Sequence, residues 1–249
     1  ERSFNEIRRF AADASHELKT PLSIVRLHGE RLLGDEQLTP EQRESIHVQL
    51  EELARVNRII EELLFLSRAD AQVIAVDLHS QDPSAFIDSF SQDAAALAEH
   101  HGLRFISHHS GNAPACFEAK RMRQVLLNLL DNAIRVSPPG ARITLSSEVS
   151  DGLWRIRIDD EGPGLDEEQR EKAFERFVRF PGSSRGDQGS GLGLAICRSI
   201  IHLHQGRIFA LAGPGGVGLR MVIEVPQSKL DTSHSGGASG PDPVLAHVP

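Results

Sequence analysis

Apolar residues recur at steps of three and four along the first stretch of the chain, at Ile7, Phe10, Ala11, Ala14, Leu18, Leu22 and Val25. That spacing predicts the apolar stripe of a helix with about 3.6 residues per turn. His16 sits two positions from both Ala14 and Leu18, about 200° round the helix from each. It should therefore face solvent or a visiting domain. Pro21 removes a backbone donor and crowds the carbonyl of Glu17, which predicts a bend beside the histidine.

The pattern breaks at Gly34-Asp35-Glu36-Gln37 and resumes after Thr39-Pro40-Glu41-Gln42. Here Thr39 can cap, Pro40 suits the first helical position and Gln42 completes a capping box. Beyond it Ile46, Leu50, Leu53, Asn57, Ile60 and Leu64 alternate in fours and threes, the seam of a helical bundle with Asn57 as a polar interruption. Two such helices on a short loop form a hairpin that cannot bury both stripes alone, so a homodimeric four-helix bundle is expected.

From about Ala71 short alternating segments take over, such as Leu153 to Ile158 and Leu219 to Val225. Helical patterns lie between them at Arg121 to Val136 and Leu194 to Leu203, and Gly213-Pro214-Gly215-Gly216 reads as a hairpin turn. The fold class is α+β: a helical hairpin forming a dimeric four-helix bundle, then an α/β sandwich. The expected boundaries are 1–70 for the hairpin, 71–82 for a hinge with a first strand, and 83–227 for the sandwich. Residues 228–249, rich in Ser, Gly, Pro and Asp, read as a disordered tail.

Composition narrows the function classes. A formal charge of −8 over 249 residues argues against a nucleic-acid-binding module, which carries a basic face. Cys116 and Cys197 form no metal-ligand or redox motif, which fits a reducing compartment. The His100-His101, His108-His109 and His202-Leu203-His204 groups lack the cysteine or helical spacing of a transition-metal site. There is no apolar run of membrane-spanning length, and a chain that begins at Glu1 is expected to be a portion of something longer.

Candidate chemistry sits on the polar faces. Asn128, Asn132 and Arg135 lie at steps of four and three, opposite the apolar stripe of their helix. Two amides and a guanidinium in that array suit a magnesium triphosphate, although an ordinary polar helix face has the same pattern. Asp159-Asp160-Glu161-Gly162-Pro163-Gly164 ends a strand. Its glycines let backbone approach a flat ligand, and a carboxylate there can accept from an exocyclic amine such as that of adenine. Gly189-Ser190-Gly191-Leu192-Gly193 opens a helix and offers N–H groups to phosphates. Between the glycine segments, Pro181 to Gln188 is long enough for a mobile lid, with Phe174 and Phe177 expected to anchor it to the core.

The order of these segments, from Ser15-His16-Glu17-Leu18-Lys19-Thr20-Pro21 through the Asn, Asp-Gly, Phe and Gly segments, resembles the catalytic core of a bacterial two-component sensor histidine kinase. It covers about residues 5 to 227. The resemblance implies a dimerization and phosphotransfer domain followed by a Bergerat-type ATP-binding domain, with ATP and Mg2+ as cofactors. It further implies His16 as phosphoacceptor, Glu17 as its general base, and Thr20 as a residue that positions water when the regulator is dephosphorylated. Asn132 becomes the principal magnesium ligand with Asn128 assisting, Arg135 a phosphate contact and Asp160 the adenine-reading carboxylate. Gly162, Gly164, Gly189, Gly191 and Gly193 become nucleotide-loop glycines. Val136 departs from the family, whose members often carry an aromatic residue there. The implied partners are a second copy and a response-regulator receiver domain. The implied location is the cytoplasmic portion of a bacterial inner-membrane protein, anchored upstream of Glu1. An ATP-binding scaffold and a related-fold ATPase, neither transferring a phosphoryl group, are the rival readings.

Overall fold

The computed structural model describes residues 20–180 and 189–227. His16, Glu17, the lid 181–188 and the tail 228–249 lie outside the described residues, as does the part of the expected bend that involves Glu17.

The hairpin has the predicted form. Helix α1 covers residues 20–33, and α2 runs Pro40–Asp70 behind a capping box. Thr39 Oγ1 accepts from the Gln42 N–H at 3.3 Å, and Gln42 Oε1 accepts from the Thr39 N–H at 2.9 Å. Arg43 closes the turn by donating to the carbonyl oxygens of Leu33 (2.6 Å) and Asp35 (3.1 Å), which satisfies acceptors left open at the end of α1. The helices cross closely at Gly29, where a Cβ would stand 2.6 Å from Leu50 Cδ2. Ile24, Val25, Leu27, Leu32 and Val48 remain more than half exposed, an apolar face that one copy of the hairpin does not cover.

The second body is a five-stranded mixed sheet against three helices. In chain order its elements are β1 (His79–Gln81), α3 (Pro83–His100), β2 (Arg104–Ser110), β3 (Ala115–Phe117) and α4 (Ala119–Val136). Then come β4 (Arg142–Ser150), β5 (Leu153–Asp159), α5 (Glu167–Lys172), α6 (Gly193–Leu203), β6 (Arg207–Ala212) and β7 (Leu219–Pro226). The sheet order is β2-β4-β5-β7-β6, with β2 parallel to β4 and the other pairs antiparallel. β1 and β3 pair separately.

Strand alternation puts Ile143, Leu145, Trp154, Ile156, Ile158 and Ile223 on the face covered by helices, all at most 2% exposed. At the core's edge the Trp154 ring packs 4.5 Å from Phe117, and its Nε1–H donates to Ser147 Oγ at 2.9 Å. His109 stands 2.9 Å from Ser147 Oγ through Nδ1 and 2.9 Å from the Gly111 carbonyl through Nε2. A carbonyl only accepts, so the neutral ring carries its proton on Nε2 and Ser147 donates to Nδ1. The outer face carries charge in register: Glu224 accepts from Arg155 Nε at 2.7 Å and Arg207 Nε at 2.5 Å.

α4 and α6 are joined by a buried histidine. His204 Nδ1 lies 2.8 Å from the Ile200 carbonyl, and Nε2 accepts from the Glu118 N–H at 3.1 Å. The Nε2 contact requires the neutral ring, because a protonated Nε2 would turn an N–H against the N–H of Glu118; Nδ1–H donates to Ile200 in either state. Burial holds this imidazole below its ordinary value, with the Arg121 charge acting the same way and the Ile200 hydrogen bond and the Glu118 charge opposing it. A depressed histidine contributes stability that is full above the unfolded value and is lost as pH falls below it. The melting temperature should therefore drop between about pH 7.5 and 5.5. His204→Gln should lower it at neutral pH and flatten that slope; thermal scans giving an unchanged slope would contradict the assignment.

Candidate functional site

α4 fixes the site by what it buries. Met122, Val125, Leu126, Leu129, Leu130, Ala133 and Ile134 pack inward, leaving Asn128, Asn132 and Arg135 half-buried on the other side. Asn128 Nδ2 donates to the Gly193 carbonyl at 3.3 Å and so ties α4 to the first turn of α6. The Asn132 amide makes no hydrogen bond to any described residue, which leaves its oxygen free for a ligand. Arg135 pairs with Asp131 at 2.6 Å, and its Nη1 stands 2.7 Å from where a Cβ on Gly189 would be. A side chain at position 189 would push that guanidinium aside.

At the end of β5 the strand's alternation separates two neighbouring carboxylates. Asp159 projects to the outer face, where Arg220 grips it bidentately at 2.7 and 2.8 Å. Asp160 turns inward and is 6% exposed. Its Oδ1 accepts from the Gly162 N–H at 2.9 Å and the Leu219 N–H at 3.2 Å, and no described residue bonds Oδ2. Burial raises the carboxyl above its ordinary value despite these two N–H donors, and the Asp159 charge adds to the rise.

Backbone crossings hold this corner. A Cβ on Gly162 would lie 2.8 Å from Val136 Cγ2 and 3.0 Å from Asp160 Oδ1. Gly218, at φ +69, passes so close that a Cβ would fall 1.8 Å from the Asp160 carbonyl oxygen. Gly191, at φ +71, meets Phe177 backbone to backbone, with the Phe177 N–H donating to the Gly191 carbonyl at 2.9 Å.

The Phe segment departs from expectation. Phe174 is buried at 5%, as an anchor should be, but the Phe177 ring is 58% exposed. Phe177 sits at φ +63, and that left-handed turn, fixed by the bond to Gly191, aims its side chain outward. Its backbone is the anchor and its ring is not.

The structure thus brings Asn128, Asn132, Arg135, Asp160 and the glycines of both loops to one end of the sheet. Thr20 lies exposed on α1. The end of α2 reaches the glycine loop through Glu62 and the start of α4 through Phe65. Leu66 is buried at 1%, Arg121 stacks 4.8 Å over the Phe65 ring, Asp70 pairs with Arg176, and Ser190 Oγ donates to Glu62 Oε2 at 2.8 Å. Sequence reasoning missed Glu62, Ser190 and Gly218. Gly218 had a visible signal, a glycine two residues beyond the predicted hairpin turn; Glu62 had none.

Comparison with known proteins finds a family match on each side of the linker. Residues 6–72 match the His Kinase A (phospho-acceptor) domain. Residues 117–229 match the histidine kinase-, DNA gyrase B- and HSP90-like ATPase family. The chain is 33% identical over 220 residues to the sensor protein SrrB of Staphylococcus aureus strain N315, covering 88% of this chain and 38% of that protein. It therefore spans well under half the length of such relatives. Among solved structures, full-length ShkA in complex with AMPPNP superposes with a TM-score of 0.75 at 27% identity, over 88% of this chain and 46% of that one. The Acinetobacter baumannii histidine kinase AdeS gives 0.61 at 28% identity, over 86% and 98%.

Gly218→Ala should be among the most destabilising single-methyl additions in the chain, because it combines a left-handed φ with a main-chain clash. We expect a loss of about 3 kcal/mol by urea denaturation. A loss below about 1 kcal/mol would mean that the crossing is looser than described.

Proposed function

The chain belongs to the two-component sensor histidine kinases, and on that premise we propose that it binds magnesium ATP and phosphorylates itself on His16. It then passes the phosphoryl group to an aspartate of a response-regulator receiver domain. The observation that carries this reading is the convergence of Asn132, Arg135, Asp160 and two glycine loops on one corner that also meets the helical hairpin. The AMPPNP bound to ShkA supports a nucleotide ligand.

The residues divide the work by chemistry. Asp160 commits Oδ1 to main-chain N–H groups and keeps Oδ2 to accept from the adenine amine. Gly162, having no Cβ, lets Val136 and the Asp160 carboxylate close up beside it, which holds Asp160 in place. Gly164, Gly189, Gly191 and Gly193 let the loop backbone approach the phosphates at the start of α6, where N–H groups and the helix dipole favour anions. Arg135 exchanges Asp131 for phosphate. The oxygen donors of Asn132, with Asn128 assisting, fit a hard cation; Mg2+ there would neutralise charge developing on the transferred group.

In the transfer itself a ring nitrogen of His16 forms the new N–P bond while the γ-phosphorus–oxygen bond breaks and ADP leaves. Glu17 takes the ring proton, and the gain comes from positioning the imidazole in line with that bond. Thr20, one turn on from His16, is placed to orient water when the regulator's phosphate is removed. The uncovered stripe of Ile24, Val25, Leu27, Leu32 and Val48 suits a second copy, giving a homodimeric four-helix bundle. The domain limits proposed are 1–70 and 83–227, with a hinge between them. Because its sensor relatives extend well beyond the matched part, the chain is read as the cytoplasmic catalytic portion of a membrane-anchored bacterial protein. Among the described residues no helix is long and apolar enough to cross a membrane.

Incubation with γ-labelled ATP and magnesium should give acid-labile, alkali-stable label on the wild-type chain and none on His16→Gln; label that persists in the variant sinks the assignment. A scaffold or a plain ATPase would incorporate none in either. Asn132→Ala should abolish labelling.

The raised Asp160 carboxyl makes a separate pH prediction. Protonation of Oδ2 replaces an acceptor with a donor, so adenosine affinity should fall as pH drops from neutrality through that raised value and recover on return. Asp160→Ala should weaken adenosine by about 1–3 kcal/mol at neutral pH, read by calorimetry. An affinity that does not fall at any pH below neutrality at which the chain stays folded would remove Asp160 from the base pocket.

A further inference from the structure

We propose that Glu62 of α2 is a charge gate on the glycine loop, weakening the binding of nucleotide phosphates while the hairpin is docked and leaving the base pocket untouched. The proposal rests on the nucleotide reading above and assigns to it a residue of the second helix of the hairpin.

Ser190 carries the geometry. Its hydroxyl donates to Glu62 Oε2 at 2.8 Å and accepts from the Leu192 N–H at 3.2 Å. One oxygen atom therefore links a carboxylate to the N–H of Leu192, the cap of the 11-residue helix α6, which makes no side-chain cap hydrogen bond of its own. The positive end of α6 stabilises negative charge, and in the docked arrangement that charge is supplied by Glu62. The carboxylate is half-buried, so solvent screens it less than a surface charge.

Gly189 and Gly191 flank Ser190, and the Arg135 guanidinium lies against Gly189. Phosphates seated on this loop would share the same positive end of α6 with Glu62. Like charges that close oppose one another, and the opposition grows with the number of phosphates. Adenosine, held at the far end through Asp160, should be indifferent. Reciprocity follows: if Glu62 weakens ATP binding, ATP weakens the α2 contact by the same factor. That contact is the burial of Leu66, the stacking of Arg121 on Phe65 and the Asp70–Arg176 pair.

The test compares adenosine, ADP and ATP, each with magnesium, on the wild-type chain and on Glu62→Gln by calorimetry. Glutamine keeps an acceptor for Ser190 and removes only the charge. We expect Glu62→Gln to tighten ATP about fivefold and ADP by less, with adenosine unchanged. A second readout needs no variant: in the wild-type chain ATP, but not adenosine, should speed amide exchange across residues 62–70. An ATP affinity unmoved by Glu62→Gln, a shift equal for all three ligands, or exchange that ignores ATP overturns the gate while adenosine binding keeps the nucleotide reading intact. A wild-type chain that binds none of the three overturns both.

Discussion

One helix has to satisfy two demands at once, and the site depends on how α4 meets them. Seven of its side chains close the core under the sheet, which fixes its rotation about its own axis. With the rotation fixed, Asn128, Asn132 and Arg135 have no choice of direction. Asn128 meets Gly193, Arg135 meets Gly189, and Asn132 is left between them with an unused amide. Burying a Leu-sized side chain is worth about 1.5–3 kcal/mol, so the packed stripe holds the polar face far more firmly than any polar contact on that face. The ligand-facing array is rigid because its opposite side is a core.

The same logic acts at the end of β5, with the strand's period in place of the helix's. Asp159 and Asp160 are chemically identical neighbours, and alternation sends them to opposite faces of the sheet. Asp159 meets Arg220 and is satisfied on both oxygens. Asp160 meets main-chain N–H groups on one oxygen only. Burial raises the second carboxyl because a desolvated charge with no cation beside it is costly. The resulting carboxylate is half satisfied and half available, as the proposed recognition of a neutral amine needs.

Elements set by local periodicity were legible in the chain, and those set by tertiary crossing were not. The stripe of α4, the Thr39–Gln42 capping box and the hairpin between β6 and β7 all depend on residues within a few positions of one another, and each stands where the pattern put it. Phe177 was misread as a buried ring because an Arg-Phe-Val segment gives no sign of a left-handed φ; that conformation comes from Gly191, fourteen positions away. Gly218 owes its place to the carbonyl of Asp160, and Glu62 to Ser190, 128 positions distant. Sequence names the chemistry of such residues, but only the fold supplies their partners.

The contact between hairpin and sheet domain has an apolar centre and an exposed polar rim. Its ion pair, Asp70 with Arg176, is 56% and 43% exposed, and pairs so exposed contribute about 0–1 kcal/mol. The Ser190–Glu62 hydrogen bond, to a carboxylate, adds about 1.5–3 kcal/mol net. Leu66 is the only fully buried side chain α2 gives to the contact, worth about 1.5–3 kcal/mol if it is exposed on separation. Ile59, Leu63 and Phe65 pack against the core beside it, half-buried, so an apolar centre supplies most of the contact and its polar rim less. On the proposed reading, in which the nucleotide must reach a histidine on the hairpin, that rim is where the contact would loosen first, while the core under α4 and α6 stays closed.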